Sequence, residues 1–424
     1  MVGRKDPDLK REPMADWWVL PAHSDGPPIA TGILLTLSRQ RPALHRPPIW
    51  QLQTTPVSWR PDWHVVFASR LGDTANLWQI GIDQKTRKVA GDPEPVSAGA
   101  AYETEAVFAQ LPAGERMAFS AITVRFDLWS IPVDSARGTA TSPDLVPITS
   151  DASYEFYPSI SHDGSTMAYM TSRGNARSLC IRDLKSGKET IVFTGPMGTP
   201  RISGDGKWVF FNDANNDVVR ISTRGGAIQR LCASCGAPTD VDATGERILL
   251  ESPDSPESVL ILRASSGKTS RVIPARERLF DAKLSRDGKW IAFHGIRPGA
   301  PVAQIFVTPL HEDSTPSKPE EWIPITEGDF KEQSTAWSPD GRTVYFLSER
   351  DGFRCVWSRR FDPETKKAAG PVTAVRHFHS ARRSLQAIRS FDAQTSLSVT
   401  RDRVIVVLGE LTGNIWLRET RIAK

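Results

Sequence analysis

The sequence predicts an all-β chain folded as a β-propeller of four-stranded antiparallel blades. Two observations carry this, and a third supports it. A Ser-x-Asp-Gly turn recurs at a period near 40–50 residues, and a Trp-centred strand follows many of its copies. No stretch shows a sustained helical period with caps at both ends.

The turn is clearest at Ser338-Pro339-Asp340-Gly341-Arg342, before the strand Thr343-Val344-Tyr345-Phe346-Leu347. Ser285-Arg286-Asp287-Gly288, Ser203-Gly204-Asp205-Gly206 and Ser161-His162-Asp163-Gly164 repeat it. Weaker copies are Trp59-Arg60-Pro61-Asp62, Leu111-Pro112-Ala113-Gly114, Asp242-Ala243-Thr244-Gly245 and Val399-Thr400-Arg401-Asp402. From Gly114 to Gly341 the spacings are 50, 42, 39, 43 and 53 residues. Pro presets φ, Asp bonds back to its own backbone, and Gly accepts positive φ. The β-branched and aromatic residues that follow suit a doubly covered strand. Each copy therefore reads as the hairpin between the first two strands of a blade. Eight copies favour eight blades, with seven as the other option.

The second element is Asn76-Leu77-Trp78, Asp127-Leu128-Trp129 and Asn414-Ile415-Trp416, with looser forms at Cys355-Val356-Trp357 and Asp16-Trp17-Trp18. It reads as a third strand whose Trp packs between blades, each burying about 150–250 Å². The third element is a polar outer hairpin. Asp83 to Gly91 and Asp362 to Gly370 share Asp-x-x-Thr-basic-Lys-x-Ala-Gly. Its charges read as solvated tips.

The N-terminal region fits less well. Residues 1–15 read as a flexible tail. Residues 16–56 read as a partial blade, with an outer strand near Ile29 to Leu37, and a Pro/Arg-rich loop. The repeats occupy 57–424. A strand left over at this end suggests a start inside a blade, as in the C-terminal part of a longer protein or a truncated gene product.

Composition narrows the function classes. The 424 residues are 39% hydrophobic and 24% charged, which argues against wholesale disorder. A net charge of +4 is too small to imply nucleic acid. No apolar run approaches the ~18 residues of a membrane helix. The N-terminus has no secretory pattern, so the chain as written is expected to be cytoplasmic. It would lie outside the cytoplasm if it were the end of a membrane-anchored protein.

Catalytic motifs fail. Ser265-Ser266-Gly267-Lys268-Thr269 lacks the first glycine of a phosphate loop, and Asp213-Ala214-Asn215-Asn216-Asp217 departs from a calcium loop at its sixth and twelfth positions. No Gly-x-Ser-x-Gly and no His-Glu-x-x-His occurs. No catalytic residue and no cofactor is expected. Cys232 and Cys235 have the spacing of a zinc half-site or a redox pair, but no second pair matches them. Structural thiols, a reversible disulfide and a metal all stay open, in that order. Arg376, His377, His379, Arg382 and Arg383 form a concentrated basic stretch. It offers a surface for an anion or acidic partner, and its two His at i, i+2 could share a metal. A solvated connection between blades is the plainer reading.

Ser-Pro-Asp-Gly-basic before an aliphatic-aromatic strand, then Asn/Asp-Leu-Trp, resembles the TolB-like β-propellers with their WD40-like Tol repeats. The ending Leu411-Thr412-Gly413-Asn414-Ile415-Trp416 is similar to the propellers fused to bacterial serine/threonine kinases or winged-helix regulators. The resemblance implies a monomeric, non-catalytic propeller that binds a protein or peptide, as a sensor or interaction module of a signalling or envelope system. The alternative is a propeller lyase or hydrolase with its site at the channel mouth. An enzyme should gather carboxylates or His with shifted pKa values there. The apolar strands after the turns offer no such constellation.

Overall fold

The computed structural model describes residues 16–20, 26–40, 54–71, 74–112, 114–150, 153–173, 176–251, 258–274, 279–297, 299–380, 382–385 and 396–421. The expected flexible tail (1–15) and most of the Pro/Arg-rich loop lie outside them. The chain divides into two compact units. Unit 1 is Met1–Val124 with Leu411–Lys424, and unit 2 is Arg125–Glu410.

Unit 1 begins with β1 (Trp18–Val19) paired to β2 (Ile29–Ala30), then α1 (Ile33–Gln40). A four-stranded sheet follows: β3 (Thr55–Trp59), β4 (His64–Leu71), β5 (Thr74–Ile82) and β6 (Val89–Pro95). β7 (Tyr102–Leu111) then pairs with the start of β8 (Gly114–Asp134).

The second half of β8 opens unit 2, with β9 (Thr139–Ala140) and β10 (Val146–Pro147) paired to it. Five four-stranded antiparallel sheets come next. They are β11 (Tyr154–Ile160), β12 (Thr166–Arg173), β13 (Ala176–Asp183), β14 (Glu189–Thr194); β15 (Arg201–Ile202), β16 (Trp208–Asn212), β17 (Val218–Ser222), β18 (Gln229–Cys232); and β19 (Ala237–Val241), β20 (Arg247–Glu251), β21 (Ser258–Arg263), β22 (Lys268–Pro274). The last two are β23 (Leu279–Leu284), β24 (Trp290–Gly295), β25 (Gln304–Pro309), β26 (Ile323–Pro324); and β27 (Glu332–Trp337), β28 (Thr343–Ser348), β29 (Cys355–Asp362), β30 (Lys367–Arg376). β31 (Arg383–Ser384) and β32 (Ser398–Val399) both pair with β33 (Arg403–Arg421). β33 is in turn hydrogen-bonded to β8. In unit 2 this sixth sheet joins strands from the unit's two ends, which leaves no open edge where the ring would start.

All eight turn copies lie between paired strands, as expected. The side chains explain why the motif recurs. The Ser203 hydroxyl donates to Asp205 Oδ1 at 2.6 Å and accepts the Trp208 N–H at 3.1 Å. Ser161, Ser285 and Ser338 repeat both bonds. Gly341, at φ 70°, closes its turn by donating N–H to Ser338 O at 2.9 Å.

Eight turns do not make eight four-stranded sheets, however. The copies at Gly114 and Asp402 both feed one seven-stranded sheet. β8 runs for 21 residues and β33 for 19, so the hairpins expected before Trp129 and Trp416 are not made. Between Gly114 and Pro132, β8 contains no Gly or Pro to turn it. Gly413 lies straight in β33 because it passes close to β8: a Cβ there would sit 2.7 Å from Ala121 O.

Two further expectations are corrected. The outer strand near Ile29 to Leu37 is instead mostly α1. The Asp16 carboxylate accepts the N–H groups of Gly32 and Ile33 at 2.8 and 3.1 Å, capping the helix start. Ile33 and Leu37, four apart, are fully buried with Trp17 and Phe67. The Trp of the third-strand motif is also not the deeply buried member. Leu77, Leu128 and Val356, one residue earlier, are 0% exposed, whereas Trp78 and Trp357 are half-buried and Trp416 is exposed. Neighbouring sheets of unit 2 pack by aliphatic and aromatic residues from both faces, as where Leu249 and Ile261 meet Phe293, Phe306 and Trp322.

Candidate functional site

The first strands of the six sheets in unit 2 line one cavity. In every sheet the residue two positions before the turn Ser, or before its equivalents Asp242 and Thr400, faces it: Ser159, Arg201, Asp240, Lys283, Ala336 and Ser398. This follows from the two-residue side-chain period of a strand ending at a fixed turn. Hydrogen bonds step from sheet to sheet around the ring. Ser398 Oγ donates to Pro158 O at 2.7 Å, and the Ile202 N–H donates to Ser159 Oγ at 3.0 Å. Arg201 Nε donates to Thr239 O at 2.7 Å, the Leu284 N–H to Asp240 Oδ2 at 2.7 Å, and Trp337 Nε1 to Lys283 O at 3.1 Å.

At the centre lies a charged network. Lys283 Nζ is 2.9 Å from Asp281 Oδ1 and also donates to Thr239 O. Arg201 reaches Asp281 at 3.9 Å, and the Thr335 N–H donates to Asp281 Oδ2 at 3.2 Å. Asp281 sits at φ 52° in a bulge between Phe280 and Lys283. Tyr157 and Ser334 occupy matching bulges at φ 55° and 56°. Such bulges bend a strand and re-aim its side chains.

Burial sets the ionisation. It holds the Asp240 carboxyl above the usual carboxylate range, against the pull of Lys283 and Arg201. Burial also opposes ionisation of Asp281, but Lys283 and Arg201 outweigh it and hold this carboxyl low. The Lys283 ammonium is pushed down by burial and then by Arg201. At the mouth, burial and then Arg286 push His162 below its ordinary value. The Arg286 guanidinium donates to His162 O and is otherwise exposed. The cavity is ≈ 100 Å³. That admits a few waters or one inserted side chain, not an extended chain.

The basic stretch does not form a single site. Arg376 donates to Pro143 O. His377 Nδ1 and His379 Nε2 lie 2.6 and 2.8 Å from the same oxygen, Asp351 Oδ2. Arg382 and Arg383 bond Glu410 at 3.0 and 3.3 Å, and the Arg383 guanidinium lies 4.1 Å from the Trp129 ring centre. Its positive charge is thus shared out to internal acceptors. Cys232 and Cys235 are joined by a disulfide, a form in which neither sulfur is a thiolate ligand, and they pack on Val218, Ile248 and Leu250. Cys180 and Cys355 are free and buried.

The charged network was not legible in the apolar strands after the turns, because its ionisable groups stand on the strands before them.

No family model and no curated protein matches the chain. Among solved structures, a putative TolB from Agrobacterium tumefaciens aligns with TM-score 0.48 and 15% identity, over 71% of this chain and 100% of that one. TolB from Acinetobacter baumannii gives TM-score 0.44 and 13% identity, over 82% and 80%. An oligogalacturonate lyase in complex with manganese gives 0.40 and 11%, over 74% and 98%. At these scores the propeller reading rests on the sheet order above. Among the described residues, no helix is long and apolar enough to cross a membrane.

Proposed function

We propose that unit 2 is a closed six-bladed propeller that binds a protein or peptide partner without catalysis, a sensor or interaction module of the kind that serves bacterial signalling or envelope systems. The observation that carries this is the charge of the cavity lining. Among the described residues, Arg201, Lys283 and Arg286, with His162, face it, and Asp240 is the one carboxylate. A small cationic cavity in a rigid ring suits an acidic side chain or a chain-terminal carboxylate offered by a partner on the surrounding loops. The buried charges already satisfy one another, so they hold the ring together and set the field at its mouth.

The test is fluorescence anisotropy with labelled hexaglutamate, using hexalysine as control. Hexaglutamate should bind, weaken with salt, and weaken at least about tenfold in Arg286→Glu, a loss of about 1.4 kcal/mol. Equal behaviour of the two peptides, or no effect of the variant, would overturn the reading.

A second reading has its own observation. Asp240, its carboxyl raised by burial, and Lys283, its ammonium lowered by burial, form an acid/base pair of the kind active sites use. A lyase or hydrolase at this mouth would lose turnover in Asp240→Asn while keeping its peptide affinity.

A further inference from the structure

A second cluster of ionisable groups lies away from the cavity, on the sheet β27–β30. The turn after β28 places Asp351, β29 begins at Cys355, and the chain leaving β30 carries His377 and His379. β29 and β30 are paired, with Val356 opposite Arg376, so the start of one strand and the end of the other are held side by side. Phe378 is buried, which turns His377 and His379 together toward Asp351.

We propose that Asp351, Cys355, His377 and His379 form a binding site for a zinc-class divalent transition-metal ion. One donor atom from each lies within 4.8 Å of all the others. The set of one thiolate, two imidazoles and one carboxylate is that of a borderline-soft tetrahedral cation, not of calcium or magnesium. In a tetrahedral zinc site with bonds of about 2.0–2.3 Å, donor atoms stand roughly 3.3–3.7 Å apart. The two imidazole nitrogens here are 2.6 and 2.8 Å from the carboxylate oxygen, so an outward shift of about 1 Å or less makes room for the ion.

The donors are held before any ion arrives. Asp351 Oδ1 accepts the Phe353 N–H at 3.3 Å, which leaves Oδ2 aimed at the histidines. The Cys355 sulfur accepts the Phe378 N–H at 3.2 Å, which holds it in place beside the histidines. The His377 ring stands edge-on to Trp357 at 5.4 Å, and the His379 ring lies 4.5 Å from Phe353. Both histidines are about half exposed, at 48% and 47%, so an ion reaches the site from solvent, while the thiol lies beneath at 0%. The site is distinct from the Cys232–Cys235 pair, whose sulfurs are bonded to each other.

The experiment uses tag-free full-length protein and the metal alone. Zn²⁺ uptake is measured by equilibrium dialysis with elemental analysis, and Co²⁺ serves as the spectroscopic probe. The expected result is one equivalent of Zn²⁺, with Co²⁺ giving the visible bands of a tetrahedral ion and a thiolate charge-transfer absorption. Loss of an outer-shell partner costs 10–100-fold in affinity, so His377→Ala and His379→Ala should each cost at least about tenfold. Cys355→Ser should remove the charge-transfer band. Because Cys355 is fully buried and its variant can misfold, the two exposed histidines carry the test. Uptake below one equivalent, or unchanged affinity in the folded His377→Ala/His379→Ala protein, would overturn the proposal. The second outcome would assign the ion to reduced Cys232 and Cys235 or to surface carboxylates.

Discussion

Unit 2 holds two clusters of ionisable side chains that solve the same electrostatic problem at different depths. At the ring centre, Arg201 and Lys283 are buried and face Asp240 and Asp281, so opposite charges offset one another away from bulk solvent. On the sheet β27–β30, one carboxylate serves two half-exposed imidazoles, and water can take the place of any missing partner. The first arrangement is costly to break. The second is cheap to break, and so remains free to exchange its partners for a ligand. Depth, more than residue type, separates a group that holds a fold from one that can bind.

The sharpest way to break this contrast is Asp281→Ala. It leaves Lys283 and Arg201 buried without their nearest carboxylate, so unfolding in urea should show a loss of about 3–5 kcal/mol. Asp281→Leu with Lys283→Met removes both charges together and should recover most of that loss. A double variant as unstable as the single one would mean that these charges do more than neutralise each other.

The contrast was only partly legible in the sequence. The turns could be read because every group in them acts within five residues: Ser338 bonds Asp340 and Thr343. The central network could not be read this way, since its partners stand on other sheets. Arg201 bonds Thr239, 38 residues away, and the Leu284 N–H bonds Asp240, 44 away. A signal was nevertheless present, because the position two before each turn places one residue per sheet toward the cavity. The His377 and His379 pair was visible as a pattern. Asp351 and Cys355 were not, since only the pairing of β29 with β30 brings them near. The straight course of β8 and β33 was hidden because pairing between strands nearly 300 residues apart overrode the local expectation of separate second and third strands before Trp129 and Trp416.

A middle-sized effect tests the other side of the comparison. Asp351→Ala frees two half-exposed histidines that water can solvate, so the expected cost is about 1 kcal/mol or less by the same urea melts. A cost near that of Asp281→Ala would show that the peripheral cluster is structural after all.

The smallest effect lies at the mouth, where the two regimes meet. His162 is half-buried, and burial followed by Arg286 lowers its pKa. Asp242, Asp163 and Asp205 pull the other way. Because the folded value lies below the ordinary one of about 6.5, the unfolded chain binds more protons in the window between them. Stability therefore falls as pH drops below about 6.5, by a few tenths of a kcal/mol for each few tenths of a pKa unit. His162→Gln should flatten that slope and identify the His162 signal in a proton NMR titration. Arg286→Gln should raise the His162 pKa by removing the nearby positive charge. Saturating hexaglutamate should raise it too, since an anion at the mouth stabilises the imidazolium. A His162 that titrates near its ordinary value and ignores both changes would place it in open water, and the cationic mouth would lose its best reporter.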